Sequence, residues 1–160
     1  MGDIDRVFCI NDKVLAPIEA EDTSAGLVKF KNGATGIIEA TTACRPDNIE
    51  GSLSILGTKG TVIVGGYSAD KIIKWKLENQ DNELKFKKFD KLENPKNINA
   101  YGHLKFYEYV DKHLRKKNGR NFLSAEEAIK SLKIVTALTK SSHTNKLVKM
   151  SQNLHNTKLG

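Results

Sequence analysis

The chain has 160 residues, 39% of them hydrophobic, which suits one domain with a hydrophobic core and falls short of two domains of ordinary size. It contains no run of eighteen apolar residues and no basic n-region followed by an apolar segment, so neither a transmembrane helix nor a signal peptide is indicated, and we expect a cytoplasmic protein. Cys9 and Cys44 lack metal-ligand spacing and are too few for a disulfide framework, so we expect two free thiols.

The net charge of +7 is unevenly distributed along the chain. Residues 1–70 carry 6 Lys and Arg against 10 Asp and Glu, a net charge of −4, whereas residues 71–160 carry 20 against 9, a net charge of +11. Such a basic half is compatible with a nucleic-acid surface. We favour the solvated face of a half-buried sheet, because many of these lysines alternate with apolar residues over 71–78 and 84–89.

The first half of the chain has the pattern of an antiparallel meander. Residues 4–10 predict a short strand that ends before Pro17. Strands over 25–30 and 34–43 flank Asn32-Gly33, which predicts a two-residue type I′ turn with positive φ at both positions.

Further strands follow. Residues 52–56 alternate polar with apolar, and Gly57-Thr58-Lys59-Gly60 turns the chain into a strand over 61–64. Strands over 71–78 and 84–89 extend the sheet to about six or seven strands. In the strand over 71–78, one face is expected to carry Ile73, Trp75 and Leu77.

The last third is predicted to be helical. A polar loop over 90–101 precedes a helix that begins at Gly102 and ends at Asn118-Gly119, and its apolar side carries Leu104, Tyr107, Val110 and Leu114. Ser124 and Glu127 predict a capping box for a second helix, whose apolar stripe is Ala128, Ile129, Leu132, Val135 and Leu138. A closing strand over 147–150 and a frayed tail over 151–160 complete the chain.

These elements predict an α+β fold in which an open, predominantly antiparallel sheet carries two helices on one face. The other face of the sheet is left uncovered. We expect residues 1–150 to form a single domain.

Three kinds of chemistry lack support in the sequence. Residues 57–61 lack the spacing and the GK[ST] ending of a phosphate-binding loop. No G-x-G-x-x-G follows a strand, so a dinucleotide fingerprint is absent. The four histidines have no i,i+4 pairing and no adjacent cysteine ligands, so we expect no metal site.

Two short stretches are candidates for ligand binding. Thr42 and Arg45 lie where a predicted strand ends in small polar residues, and the planar guanidinium group suits a carboxylate or a phosphate, although Arg45 is equally compatible with a solvated strand end. Tyr101 and His103 lie at the predicted N-terminus of a helix, where free backbone N–H groups favour anionic ligands, although His103 could serve only as a helix cap.

Several motifs in the sequence are those of one family. They are E-D-T at 21–23, N-G-A-x-G at 32–36, I-E-A-T-T at 38–42, S-x-x-G-x-x-G-T at 54–61, G-H at 102–103 and S-x-E-E at 124–127. Over about residues 5–150 the chain resembles the C-terminal domain of the glucose-fructose oxidoreductase and inositol dehydrogenase family (Gfo/Idh/MocA). T-T-A-x-R-P-x-x-x-E-G at 41–51 and N-P-x-N followed by Y-G-H at 94–103 are most similar to the branch that oxidises UDP-N-acetylhexosaminuronic acids for surface polysaccharide.

The resemblance implies a preceding Rossmann domain that binds NAD(P), and a sheet whose open face makes subunit contacts. In the family, the glycine fingerprint, the E-K-P lysine and the Asp/His helix that transfers protons lie upstream of the residues present here. We therefore expect a truncated protein that binds no cofactor and is inactive by itself. It would supply Thr42, Arg45, Tyr101 and His103 to the sugar nucleotide and a surface for homo-oligomers. The alternative is a stand-alone binding or assembly module without a cofactor.

Overall fold

The computed structural model describes residues 1–47, 49–66, 69, 71–80, 98–115 and 124–154, with the backbone alone for 98–102. These residues form seven strands and two α-helices, in the order β1 (Ile4–Asp12), β2 (Thr23–Phe30), β3 (Thr35–Thr41), β4 (Leu53–Gly57), β5 (Gly60–Gly65), β6 (Lys71–Leu77), α1 (Ile98–Leu114), α2 (Ala125–Thr144) and β7 (Val148–Lys149). The α+β class is confirmed. The predicted strand over 84–89, the helix stop at Asn118-Gly119 and residues 155–160 of the tail lie outside the described residues.

The chain divides into two compact units, Met1–Arg45 with Arg120–Gly160 and Pro46–Gly119. The first unit contains an antiparallel sheet in the order β3-β2-β1-β7, and the second contains an antiparallel sheet in the order β4-β5-β6. The strands were predicted as one continuous sheet, but the described strands are hydrogen-bonded in two. Pro46 has no backbone N–H with which to continue a ladder after β3, and β4 pairs with β5 instead. That residues 1–150 form one domain stays a prediction.

The hairpin between β2 and β3 turns through three residues, Lys31, Asn32 and Gly33. The N–H of Phe30 donates to the carbonyl oxygen of Ala34 at 2.9 Å, and the N–H of Gly33 donates to that of Phe30 at 3.0 Å. Gly33 has a φ of 94° and Asn32 does not have a positive φ, so the predicted type I′ turn was wrong. A turn followed by glycine in this conformation is the usual three-residue hairpin loop. Asn32 supports it through its side-chain oxygen, which accepts from the N–H of Ala34 at 3.0 Å.

The core of the first unit lies between its sheet and α2. Val7, Val28, Ala137 and Val148 are each at most 2% exposed, and Val7 stands opposite both Val28 and Val148 in the register. Strand β7 confirms the predicted closing strand. Whether α1 lies on the same sheet face as α2 stays a prediction.

The face that α2 turns toward its sheet differs from the prediction. Ile129, Leu132 and Val135, the centre of the predicted stripe, are exposed, whereas Ala137 and Ser141 are fully buried. Of the predicted stripe, Leu138 does pack against the core. The inner side of α2 is thus formed partly by small residues.

Both ends of α2 have the expected kinds of cap. Ser124 Oγ accepts from the N–H of Glu127 at 3.3 Å, as the capping box predicted. The Glu127 carboxylate, which the same pattern directs back to Ser124, instead pairs with Lys130. At the other end Asn145 adopts a left-handed conformation with a φ of 50°. The N–H of Asn145 donates to the carbonyl oxygen of Ser142, and the N–H of Lys146 donates to the carbonyl oxygen of Ser141. This is the Schellman arrangement.

In the second unit, the turn over 57–60 forms the predicted hairpin, with Gly57 opposite Gly60. The pairing of β5 with β6 has an irregularity at which Ile63 is opposite Lys74 and Val64 is opposite Ile72. The extra residue is Ile73, which interrupts the alternation. Ile73 is consequently exposed while Ile72, Trp75 and Leu77 are half-buried, so the prediction that Ile73 shares a face with Trp75 was wrong.

Helix α1 begins at Ile98, four residues before the predicted start. Residues 98–101, predicted as part of a loop, form its first turn. Of the predicted apolar side, Val110 is half-buried and Leu104, Tyr107 and Leu114 are exposed. Residues 90–97 of the predicted loop lie outside the described residues.

Candidate functional site

The carboxylate of Asp22, directly before β2, binds the loop that follows β1. Its oxygens accept hydrogen bonds from the backbone N–H groups of Val14 at 2.8 Å, Leu15 at 2.8 Å and Ala16 at 2.6 Å, and from Thr23 Oγ1 at 3.1 Å. These bonds stabilise the charged form, so the pKa of Asp22 lies well below its usual value of 3.8. The side chain is buried, and the loop between β1 and β2 folds around it.

Residues 41–45, which begin with the last residue of β3, are here called the strand-end segment. The N–H of Thr42 donates to the carbonyl oxygen of Asp22 at 2.8 Å, which extends the pairing of β2 with β3 by one bond. Thr41 Oγ1 lies 2.9 Å from Thr23 Oγ1 and accepts from the N–H of Ala43 at 3.0 Å. The segment is therefore held by the backbone of Asp22 and by the side chain of Thr23.

Arg45 lies exposed at the end of this segment. Its Nη1 donates to the carbonyl oxygens of Thr42 at 3.1 Å and Cys44 at 2.7 Å. In the part of the chain that the structure describes, no carboxylate pairs with it. Because a guanidinium group has five N–H donors, Nε and Nη2 keep donors for an anionic group. Thr42 and Arg45, both predicted as ligand-binding residues, are thus brought together by a direct hydrogen bond.

Tyr101 and His103 lie in α1, in the second unit. Because the helix begins at Ile98, His103 lies beyond the first turn and not at the N-terminus, where the free N–H groups are. Its side chain is exposed. A role as N-terminal cap is therefore excluded for His103, and a role in ligand binding stays a prediction for both residues.

Asp22 is the residue that the sequence interpretation missed. Asp22 is the last residue of an acidic stretch over 19–22, directly before β2. The available signal was an Asp directly before a strand and shortly after a loop with Pro17, since such loops have backbone N–H groups that need acceptors.

The side of the four-stranded sheet opposite to α2, here called the outer face, carries apolar side chains. The register aligns Phe8, Leu27 and Ile37 in one row across β1, β2 and β3. Ile10 lies on the same face, two residues after Phe8 in β1. Leu27, Ile37 and Ile10 are exposed, and Ile37 is 79% exposed. This exposed apolar row is a candidate interaction surface.

A nicotinamide dinucleotide does not fit the residues that the structure describes. A dinucleotide site needs parallel strands joined through a helix whose N-terminus follows a glycine-rich turn. All the described strand pairs are antiparallel, and the turn over 57–60 joins two strands. The same residues contain no group of three or more potential metal ligands. Cys9 and Cys44 are free thiols, as predicted.

Neither described helix is long and apolar enough to cross a membrane.

Comparison with protein families gives one match, to the C-terminal alpha/beta domain of an oxidoreductase family, over residues 3–150. No curated protein sequence matches the chain. The match spans both compact units.

Solved structures show the same fold. The chain is 29% identical to the WlbA dehydrogenase from Bordetella pertussis, solved with NADH and UDP-GlcNAcA, with a TM-score of 0.85 over 95% of this chain and 43% of that one. It is 28% identical to the WlbA dehydrogenase from Chromobacterium violaceum, solved with the same two ligands, with a TM-score of 0.79 over 96% of this chain and 42% of that one. An NAD-binding oxidoreductase from Klebsiella pneumoniae, 17% identical, shares the fold with a TM-score of 0.70 over 95% of this chain and 46% of that one. The chain therefore spans less than half the length of these structures.

Proposed function

Because this chain belongs to the Gfo/Idh/MocA oxidoreductase family, whose C-terminal domain it matches over residues 3–150, we propose that it binds substrate and forms oligomers within an NAD(P)-dependent nucleotide-sugar dehydrogenase. The similarity to two WlbA dehydrogenases solved with NADH and UDP-GlcNAcA supports this substrate class. Surface polysaccharide synthesis in the cytoplasm is the process that we propose for it. Hydride would pass between a sugar carbon and a nicotinamide held by a Rossmann domain, because the residues described here do not fit that cofactor.

The observation that carries the proposal is the position of Arg45. It is an exposed arginine without an acidic partner among the described residues. Its guanidinium group bonds to the carbonyl oxygen of Thr42, and the N–H of Thr42 bonds to the carbonyl oxygen of Asp22. A guanidinium group forms paired hydrogen bonds with a uronate carboxylate or a diphosphate, and a lysine supplies charge without that paired geometry. In this proposal Arg45 and Thr42 bind the acidic part of the sugar nucleotide, and Tyr101 and His103 contribute further contacts.

The test is Arg45→Lys in the full-length enzyme, with the Rossmann domain present. Loss of a charge-assisted hydrogen bond costs about 1.5 to 3 kcal/mol, which corresponds to a roughly tenfold to hundredfold weaker affinity for UDP-GlcNAcA. Calorimetry measures that affinity, and the melting temperature should stay unchanged. Arg6→Lys is the matched control. Arg6 is also exposed, but it lies near the start of β1, whereas the strand-end segment lies beside the end of β1.

Unchanged affinity of the Arg45 variant would make Arg45 a solvated strand-end residue and would remove the main support for the proposal. A lost fold would instead make the residue structural. The isolated 160-residue chain is expected to bind neither NAD nor NADP, and micromolar binding of either would contradict the division of roles.

The second part of the proposal concerns assembly. The outer face exposes a row of large apolar side chains on an antiparallel sheet, and such a face usually packs against another surface. We propose that the occupant is the same face of a second copy, because two-fold symmetric contacts of one patch with itself are the commonest in homo-oligomers.

A further inference from the structure

The Asp22 carboxylate is saturated by donors from its own chain. A carboxylate offers about four lone-pair sites, and four donors, three of them backbone N–H groups, occupy them. The residue is only 5% exposed. A group in this state has no capacity left to bind a substrate directly, so any effect on ligand binding must act through its neighbours.

Those neighbours lead directly to the strand-end segment. Thr23 Oγ1, which donates to the Asp22 carboxylate, lies 2.9 Å from Thr41 Oγ1, and Thr41 Oγ1 in turn accepts from the N–H of Ala43. The backbone of Asp22 makes a second connection, because its carbonyl oxygen accepts from the N–H of Thr42. Arg45 then bonds back to the carbonyl oxygen of Thr42. The route from Asp22 to the guanidinium group is thus continuous.

The backbone of Asp22 is itself fixed on its other side. Its N–H donates to the carbonyl oxygen of Asp12 at 3.0 Å, at the end of β1, and its side chain fixes residues 14–16. Asp22 therefore joins the ends of three strands and one loop. Loss of its carboxylate would remove the acceptors of three part-buried hydrogen bonds from backbone N–H groups of that loop, and the loop would rearrange.

We propose that Asp22 is a positioning residue: it holds the strand-end segment in the conformation that presents Arg45 to the acidic group of a sugar nucleotide. The part of this inference that concerns affinity rests on the function proposed above. The part that concerns the conformation of residues 41–45 is independent of any ligand, and the two parts are tested separately.

The first measurement uses the alkylation of Cys44 by iodoacetamide in the 160-residue chain. Cys44 lies half-buried within the strand-end segment, and Cys9 is 1% exposed in the core of the same unit, so the two thiols report local and global opening. Asp22→Asn is expected to speed the alkylation of Cys44 by about fivefold or more relative to that of Cys9, since local opening costs less than global unfolding. Asp12→Asn is the matched control, because within the described residues the exposed Asp12 carboxylate bonds only to the adjacent N–H of Lys13.

A second variant covers the case in which Asp22→Asn does not fold. Thr23→Val keeps the shape of the side chain and removes only the hydroxyl that joins the Asp22 carboxylate to Thr41, without changing a charge. It is expected to speed the alkylation of Cys44 in the same selective way. Unchanged rates, or rates that rise equally for both thiols, would overturn the proposal.

The second measurement is the affinity of the full-length enzyme for UDP-GlcNAcA in a double-mutant cycle. Asp22→Asn (or Thr23→Val) is expected to weaken binding about tenfold in the wild-type background and to have little further effect in the Arg45→Lys background, because both changes act on the same contact. Additive losses would show that Asp22 does not act through Arg45 and would overturn the proposal. If the wild-type enzyme does not bind UDP-GlcNAcA, the proposed function fails, and the thiol measurement alone decides whether Asp22 positions the segment.

Discussion

The hydroxyl group of Ser141 in α2 accepts a hydrogen bond from the backbone N–H of Cys9 in β1 at 3.0 Å, and donates one to the carbonyl oxygen of Lys146 at 2.7 Å. Ser142 Oγ accepts from the N–H of Asn11 at 2.8 Å in the same way. Strand β7 pairs with β1 only at Arg6 and Val7. The two hydroxyl groups therefore serve as acceptors along the edge of β1 where β7 has ended, and α2 protects that edge from other strands.

Ser141→Ala is expected to lower the free energy of unfolding by about 1 to 3 kcal/mol, because it leaves the buried N–H of Cys9 without its acceptor. Urea denaturation of the chain measures this change. Ser131→Ala is the control, since Ser131 is exposed on the same helix and its replacement should stay within about 0.5 kcal/mol of wild type. Equal effects of the two substitutions would mean that the bond to β1 contributes nothing net.

The low pKa of Asp22 predicts a specific loss of stability in acid. The pKa in the folded chain lies below the unfolded value, so the carboxylate stabilises the fold at neutral pH, and this contribution decreases as the pH falls below about 4. Asp22→Asn lacks the contribution at every pH. We therefore expect the unfolding free energies of wild type and variant to converge between pH 5 and pH 2, as followed by urea denaturation. Parallel curves over this range would contradict the cause assigned to the pKa.

Gly60 is expected to tolerate no side chain. It has a φ of 147°, and an added Cβ atom would clash with the carbonyl oxygen of Lys76 and would lie 2.8 Å from the Cα atom of Leu77. Gly60→Ala should cost at least about 1 to 3 kcal/mol, since backbone atoms must move. Its register partner Gly57 is the control, because a Cβ atom there would meet one oxygen atom at 3.6 Å. Thermal unfolding compares the two, and similar melting temperatures would refute the prediction.

The inner side of α2 shows why periodicity alone did not predict the packing. A Cβ atom on Gly26 of β2 would lie 3.0 Å from Leu138 Cδ2, so the helix lies close to the sheet at this point. Close approach requires small residues, and Ala137 is fully buried there. The edge of β1 beyond β7 also has backbone N–H groups that need acceptors, and the hydroxyl groups of Ser141 and Ser142 accept from them. A search for apolar residues at helical spacing selects larger side chains and overlooks these small and polar ones.

The strands were predictable because alternation and turn residues are local signals. Seven of the eight predicted strands were found, and the eighth, over 84–89, lies outside the described residues. Of the proposed site, only the exposed end was predicted. Thr42 and Arg45 were predicted from residue type, whereas Asp22, which we propose holds them, was overlooked because its one signal is an Asp between a Pro-containing loop and a strand. The geometry of the hairpin at Gly33 was missed for a similar reason, because Asn32 uses its side chain and not its backbone conformation.

The outer face provides the last prediction, that the chain self-associates through this surface. Ile37 stands in the row with Leu27 and Phe8 and is 79% exposed, so it would be buried in a symmetric contact between the outer faces of two copies. Ile37→Lys would place a charge there without a partner and should weaken association at least about tenfold, because burial of an unpaired charge is costly. The fold should persist, since the residue is exposed in the single chain.

Sedimentation equilibrium over a range of concentrations measures the effect. Wild type is expected to sediment as a species larger than the 17.8 kDa monomer, and Ile37→Lys to shift toward that mass. Ile49→Lys is the matched control, because Ile49 is 76% exposed but lies outside the strands, so the same change should leave association intact. A wild-type chain that stays monomeric at high concentration would refute the prediction, and equal association of wild type and the Ile37 variant would assign the contact to another surface.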